Sequence, residues 1–176
     1  MRIREATVVD ADMLGDVHVR TWQEAYRGKI SAQYLAQIDL AQRRQGWRRI
    51  LQNPGLAATL VAEHECQGVV GFIRVSSSRD SDADTRRVGE VYGLYLLPAF
   101  WGRGVGRMLM EAGLRRLAQA GYMENTLWVL ATNDRARRFY EASGWRPDGA
   151  TKTDDSHGVP LIEVRYRRTA SIQPSV

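Results

Sequence analysis

The stretch Val91–Arg107, VYGLYLLPAFWGRGVGR, constrains this chain more than any other. It lies across the join of two elements. Val88–Leu97 is long and mostly apolar, the pattern of a central strand covered on both faces. Pro98 ends it. A short turn holding Gly102, Gly104 and Gly106 follows, and Gly104–Ala120 then shows helical spacing, with Met108, Leu109, Ala112, Leu117 and Ala120 apolar and Arg115 and Arg116 outward. Alternate glycines let backbone N–H groups turn inward without side-chain obstruction. The helix N-terminus adds its unpaired donors and positive dipole end. The expectation is a pocket for a phosphate or pyrophosphate, reinforced by Arg103 and Arg107 through charge-assisted hydrogen bonds. The spacing is G-x-G-x-G. A dinucleotide fingerprint needs G-x-G-x-x-G, and Arg107 stands where its third glycine would be; a P-loop needs a Lys-Ser or Lys-Thr that is missing here. A helix-capping turn without ligand is the plainer alternative, and three alternate glycines argue against it.

The rest of the chain places this unit in an α/β protein. Arg2–Ala6 alternates as a short strand, and Asp10 is positioned to cap a helix running to about Tyr26, with Leu14, Val17, Thr21 and Ala25 on one stripe. Ser31 is positioned to cap a second helical region through Leu51. Ala57–Glu63 and Val69–Val75 read as a hairpin joined near Gly68, Thr126–Leu130 as a strand, and Asn133–Ser143 as a helix closed by Gly144. Leu161–Arg167 is the last strand. Ser76–Arg87 and Pro147–Pro160 are polar and turn-rich and read as two long loops. One domain over residues 1–169 with a disordered tail at 170–176 is the simplest organisation.

Composition narrows the function classes. One cysteine, Cys66, excludes an internal disulfide framework and a Cys-based zinc cluster. No apolar run approaches the roughly 20 residues of a membrane span. The N-terminus MRIREATVVD has no apolar core of a signal peptide, so a reducing, cytoplasmic setting is expected. The net charge is +5, yet 23 of the 25 basic residues are Arg, scattered among acids, with Lys29 and Lys152 the two lysines. That pattern makes nucleic acid an unexpected partner. No residue pattern points to a metal.

Two further stretches carry a resemblance. PAFWGRGVGRMLM resembles motif A of the GNAT superfamily of N-acetyltransferases, and NDRARRFYEASGW resembles its partner motif, N-x-x-A-x-x-F-Y-x-x-x-G-F/W. TWQEAYRGKISAQYL is similar to a pattern in many bacterial members, so the resemblance covers nearly the whole chain. One departure stands out. Where the family often has Gln or Arg three residues before the middle glycine, this chain has Trp101, whose indole N–H can donate one hydrogen bond.

The resemblance implies a mixed, mostly antiparallel central sheet flanked by helices and splayed between the Val88–Leu97 and Thr126–Leu130 strands. It implies acetyl-CoA as co-substrate and no metal. Gly102, Arg103, Gly104, Val105, Gly106 and Arg107 would hold the pyrophosphate, with Trp101 beside them. Leu94 and Leu96 would offer backbone groups to the pantetheine arm, with the Leu96 N–H facing the thioester oxygen. Asn133 would contact the cofactor, cap its helix, or both. Tyr140 would protonate the departing thiolate, a role open to a phenol of pKa about 10. Glu90, on the central strand with Tyr92 and Leu94, is the candidate base for the acceptor amine; an ion pair with Arg86 or Arg87 is the alternative. Trp22, Tyr26 and Tyr34 lie in the region that walls the acceptor pocket in relatives, although plain packing fits their spacing as well. His157, Asp154 and Asp155, and likewise Asp80, Asp82 and Asp84, read as solvated loop residues before catalytic ones. A small-molecule amine is the expected acceptor. A protein or peptide N-terminus and a non-catalytic acyl-CoA sensor stay open as alternatives. Relatives commonly dimerise, so a homodimer is compatible with the resemblance.

Overall fold

The computed structural model describes residues 1–28, 32–36, 38–155 and 160–169. Ser31, His157, the Tyr34 side chain and the tail from 170 lie outside the described residues. The elements run β1 (Arg2–Glu5), α1 (Ala11–Ala25), α2 (Ala32–Ala36), α3 (Leu40–Gln52), β2 (Ala58–His64), β3 (Gly68–Ser77), β4 (Val88–Leu96), α4 (Val105–Gln119), β5 (Glu124–Leu130), α5 (Asp134–Ala142), β6 (Arg146–Asp154) and β7 (Leu161–Thr169). The seven strands are ordered β1-β2-β3-β4-β5-β7-β6. β4 and β5 are parallel, while β1/β2, β5/β7 and β6/β7 are antiparallel. This is the mixed, mostly antiparallel sheet with flanking helices that the motifs imply. The chain forms two compact units, Met1–Arg74 with Leu94–Ala112, and Val75–Gly93 with Gly113–Val176.

In the first unit the α1 stripe drives packing. Ala11, Leu14 and Val17 join Trp47, Val61, Val69 and Phe72 in one core, with Tyr95 and Leu97 packed against it. Gly15 lets α3 approach closely: a Cβ there would lie 2.6 Å from Arg44 Cγ. Arg44–Asp16 and Arg48–Asp12 ion pairs join the same two helices. The helical region expected from Ser31 to Leu51 is two helices, because Asp39 caps α3 by accepting from the Gln42 N–H at 3.0 Å. The expected hairpin forms, with Gly68 in the left-handed region at φ 66°.

Asp10 precedes α1, but its carboxylate does not cap it. It accepts instead from the Thr7 N–H at 2.8 Å and from both Arg4 Nη atoms at 2.8 Å. A buried charge draws the strongest donor in reach, and the guanidinium fork offers two.

In the second unit β4 pairs with β5 from Val88↔Glu124 to Val91↔Leu127, while β5 pairs with β7 along its whole length, from Glu124↔Thr169 to Leu130↔Glu163. The expected loop Pro147–Pro160 is corrected here: most of it is β6, paired with β7 and interrupted by a register shift between Pro147 and Thr151. β6 is an edge strand, so neither face must be apolar, and Pro147 and Gly149 disguise it. Arg165 of β7, 6% exposed, binds Asp80, Asp82 and Asp148. Asp80 and Asp82, expected as solvated loop residues, are therefore anchored to the sheet.

Arg4 holds the Asp10 carboxyl below the usual carboxylate range, chiefly by its hydrogen bonds. A depressed folded-state pKa stabilises the fold above the unfolded value of about 3.9 and loses that contribution as pH falls through the folded value. Asp10→Asn should lower the melting temperature most at neutral pH. The gap to wild type should close below about pH 4. Calorimetric melts across pH check this, and a pH-independent gap would place the effect outside the Arg4 pair.

Candidate active site

The join between β4 and α4 is built as the glycine spacing requires. After Leu96 a 3-10 turn, Pro98–Phe100, redirects the chain. Gly102 and Gly104 then take φ of 72° and 81°, a region that L side chains rarely occupy. A Cβ built at either glycine would meet nothing within 4 Å, so neither position is packed against the protein and the backbone of the turn is exposed. Helix bonding begins with Met108 N–H to Gly104 O at 3.1 Å. The N–H groups of Val105, Gly106 and Arg107 precede that ladder and point out of the helix start, where the dipole is positive. Val105 is 4% exposed and anchors the first turn, while Arg103 and Arg107 are exposed. The residues present suit a phosphate-bearing group.

Trp101 takes a structural part in this turn. Its indole Nε1 donates to Leu96 O at 2.7 Å, tying the turn back to the strand end. The single donor of the ring is thus used within the protein. Leu96 and Leu109 meet over Gly71, where a Cβ would lie 2.7 Å from Leu96 Cδ1 and 3.2 Å from Leu109 Cδ1. Tyr95 and Leu97 instead pack against the α1/α3 core.

In the second unit Glu90 is 1% exposed and bound by Arg79, not by Arg86 or Arg87. The Arg79 N–H donates to Oε2 at 2.8 Å and Nη2 to Oε1 at 2.5 Å, so both carboxylate oxygens are engaged. The Arg79 guanidinium also lies 3.8 Å from the Tyr92 ring centroid, and Tyr92 OH donates to Ser77 O at 3.0 Å. Glu90 and Tyr92 therefore share a face, as their spacing predicts. Sequence spacing had no means of choosing Arg79, because the pairing is made across a strand connection.

Tyr140 is 8% exposed, with its ring against Phe139, Trp145 and Tyr166 at 5.5, 6.4 and 6.3 Å. Asn133 caps α5, its side chain accepting from the Ala136 N–H at 3.3 Å. In the first unit Trp22 and Tyr26 stack with centroids 4.1 Å apart. The aromatic set grows beyond the expected residues: His18, Trp47, Phe72 and Tyr95 are all in ring contact. The signal for His18 was present in its i, i+4, i+8 spacing with Trp22 and Tyr26. Among the described residues no group of three or more His, Cys, Asp or Glu could hold a metal, and no helix is long and apolar enough to cross a membrane. Cys66 is an exposed free thiol.

Comparison with known proteins agrees with the motifs. The profile of the Acetyltransferase (GNAT) family matches residues 18–145. An "Uncharacterized N-acetyltransferase" of Archaeoglobus fulgidus is 34% identical over 146 residues, 83% of this chain and 93% of that one. Among solved structures, PaiA N-acetyltransferase from Thermoplasma acidophilum in complex with coenzyme A superposes with a TM-score of 0.66 at 20% identity, over 96% of this chain and 98% of that one. YncA from Salmonella typhimurium, with its cofactor acetyl-CoA, gives 0.70 at 19% identity, over 100% and 97%. The two structures bear on the fold; the profile and the archaeal relative establish that this chain belongs to the acetyltransferase (GNAT) family.

Proposed function

We propose that this chain moves an acetyl group from acetyl-CoA to the primary amine of a small molecule by direct transfer in a ternary complex, within a domain spanning residues 1–169. The observation that carries the reading is the open backbone cradle of Gly102 and Gly104 at the start of α4. Two solved neighbours that contain CoA or acetyl-CoA support it.

When bound, acetyl-CoA supplies an activated thioester. The chain binds and orients it: the N–H groups of the Gly102–Arg107 segment and the exposed Arg103 and Arg107 receive the pyrophosphate. Leu94 and Leu96 offer backbone groups to the pantetheine arm, and the Leu96 N–H faces the thioester oxygen. Trp101 contributes by fixing the Leu96 carbonyl, since its N–H is already used. Asn133 serves α5 as its cap and lies at the family's cofactor-contact position. Tyr140 donates the proton to the leaving thiolate. Glu90 acts by positioning: with both oxygens on Arg79, it holds the start of the 78–87 segment rather than removing a proton. The half-buried Trp22–Tyr26 stack supports a small acceptor, since it offers one flat wall.

Gly104→Val would force a β-branched side chain into the left-handed region and distort the turn. Acetyl-CoA affinity in calorimetry should fall by about tenfold or more; unchanged affinity removes the cradle from cofactor binding. Tyr140→Phe should lower kcat by about a hundredfold with acetyl-CoA affinity preserved, the signature of a lost proton donor. A wild-type kcat excludes Tyr140 as the acid. Glu90→Gln should lower the melting temperature by roughly 5 °C through the weakened Arg79 contact. The acidic limb of its pH–rate profile should persist; its disappearance would return Glu90 to the role of base.

A further inference from the structure

Two side chains of α5, Arg137 and Glu141, meet on one hydroxyl. Tyr166 of β7 is fully buried. Its OH donates to Glu141 Oε1 at 2.7 Å and accepts from Arg137 Nε at 3.1 Å. A phenol carries one proton, and here that proton goes to a carboxylate, a strong acceptor. Burial, the largest influence on Tyr166, pushes its phenol up, so the donor stays protonated. Arg137 Nη1 also donates to Ala131 O at 3.0 Å, which ties the same side chain to the turn before α5.

These contacts frame Tyr140. Arg137, Tyr140 and Glu141 stand at i, i+3 and i+4, so they share one face of the helix. The Tyr140 ring is in contact with Tyr166 and Trp145, with centroids 6.3 and 6.4 Å away. Its main-chain carbonyl accepts from the Ser143 and Trp145 N–H groups at 2.9 and 3.1 Å, and Trp145 is fully buried. α5 has nine residues, too few to form a rigid helix on its own hydrogen bonds, so docking sets its orientation. Tyr166 is a firm dock, since its backbone is paired on both sides, with Leu127 of β5 and Pro147 of β6. An apolar contact would serve stability nearly as well. A buried hydroxyl with two charged partners selects one rotation of the helix as well.

We infer that Tyr166 is a positioning residue for acetyl transfer: its hydroxyl, held by Arg137 and Glu141, fixes the roll of α5 and with it the aim of the Tyr140 phenol. This inference rests on the reading of Tyr140 as the proton donor. Tyr166 acts only through Tyr140, and no bond to it is made or broken in the reaction. Arg137 and Glu141 belong to the same clamp, at positions that the N-x-x-A-x-x-F-Y pattern leaves open.

Tyr166→Phe removes the hydroxyl and keeps the ring against Tyr140. CoA release is measured with the amine that wild type acetylates fastest among amino acids, amino alcohols and alkylamines, well below the lowest melting temperature of the set. Tyr166→Phe should lower kcat by about tenfold to a hundredfold, the cost of a misaimed group, while the KM for acetyl-CoA stays within about twofold. Added to Tyr140→Phe, the same substitution should change kcat by less than about twofold, because no proton donor is left to aim. Glu141 is exposed, so it tests the clamp without opening the core. Glu141→Ala should reproduce the loss, and Glu141→Gln, whose amide oxygen still accepts from Tyr166, should recover most of it. Four results overturn the inference and leave acetyl transfer standing: wild-type kcat in Tyr166→Phe and Glu141→Ala; an equal fold-loss with and without Tyr140→Phe; a KM for acetyl-CoA that rises in step with the loss; or no recovery in Glu141→Gln. Should Tyr166→Phe fail to fold, the two Glu141 variants decide by the same criteria. A wild-type kcat in Tyr140→Phe would overturn the reading of Tyr140 as the acid and this inference with it. Failure of wild type to acetylate any of these amines, with acetyl-CoA still bound in calorimetry, would overturn the acetyl-transfer reading itself.

Discussion

Between Leu96 and Val105 the chain must reverse direction while leaving the inside of the reversal free of side chains. That requirement organises the β4–α4 join of the first unit. A helix start offers its N–H groups only if nothing covers them, and a turn this tight needs left-handed backbone. Gly102 and Gly104 meet both conditions at once, with φ of 72° and 81° and open space where a Cβ would be. The Trp101 bond to Leu96 O closes the reversal on the strand side, and buried Val105 closes it on the helix side. Trp101 at a position where relatives often have Gln or Arg therefore costs the site little. A side-chain donor is exchanged for a brace, and the left-handed backbone of Gly102 and Gly104 stays as the proposed phosphate contact requires.

The arginine excess has a structural outlet of the same kind. A net charge of +5 suggests a polyanion partner until the guanidinium groups are followed to their acids. Arg4, Arg44, Arg48, Arg79, Arg165 and Arg167 each close on carboxylates, several of them bidentate. A planar fork suits this work better than an ammonium. Arg165 shows why the choice matters: nearly buried, it needs several acceptors to offset its lost hydration, and Asp80, Asp82 and Asp148 supply them. Asp148 responds in kind. Burial would raise its carboxyl, but the Ala150 N–H and Arg165 outweigh that and hold it below the ordinary range. With Arg79 on Glu90 and Asp80 and Asp82 on Arg165, the polar 78–87 segment is fastened to its own unit in two places.

What could be read from the sequence follows the range of the interaction. The hairpin at Gly68, the α5 cap at Asn133 and the whole β4–α4 join are set by neighbours a few residues apart, and spacing found them. Long-range choices escaped it. Asp10 had the position of a cap but found Arg4 within reach. Asp39, an ordinary polar residue in the sequence, splits the expected second helix. β6 was hidden because an edge strand needs no apolar face. For Glu90, a candidate base in the sequence, the alternative ion pair suggested by proximity is with Arg86 or Arg87, and the fold supplies Arg79. Tertiary partners were not legible either: nothing near His18 in the chain announces that Trp47, on another helix, donates to its Nδ1.

That division explains why such a chain discloses its donor more readily than its acceptor. A pyrophosphate is held by backbone groups, and the dihedral angles that present them require glycine, so the recognition leaves a visible spacing. An acceptor amine is held by side chains whose donor or acceptor character depends on tertiary contacts. The same fold can then carry many acceptors without altering its glycine turn. In this protein the contrast falls within one strand end: under the proposed function Leu94 and Leu96 act through their backbone, while Tyr95 between them packs through its ring, and that packing depends on what α1 and α3 bring to it.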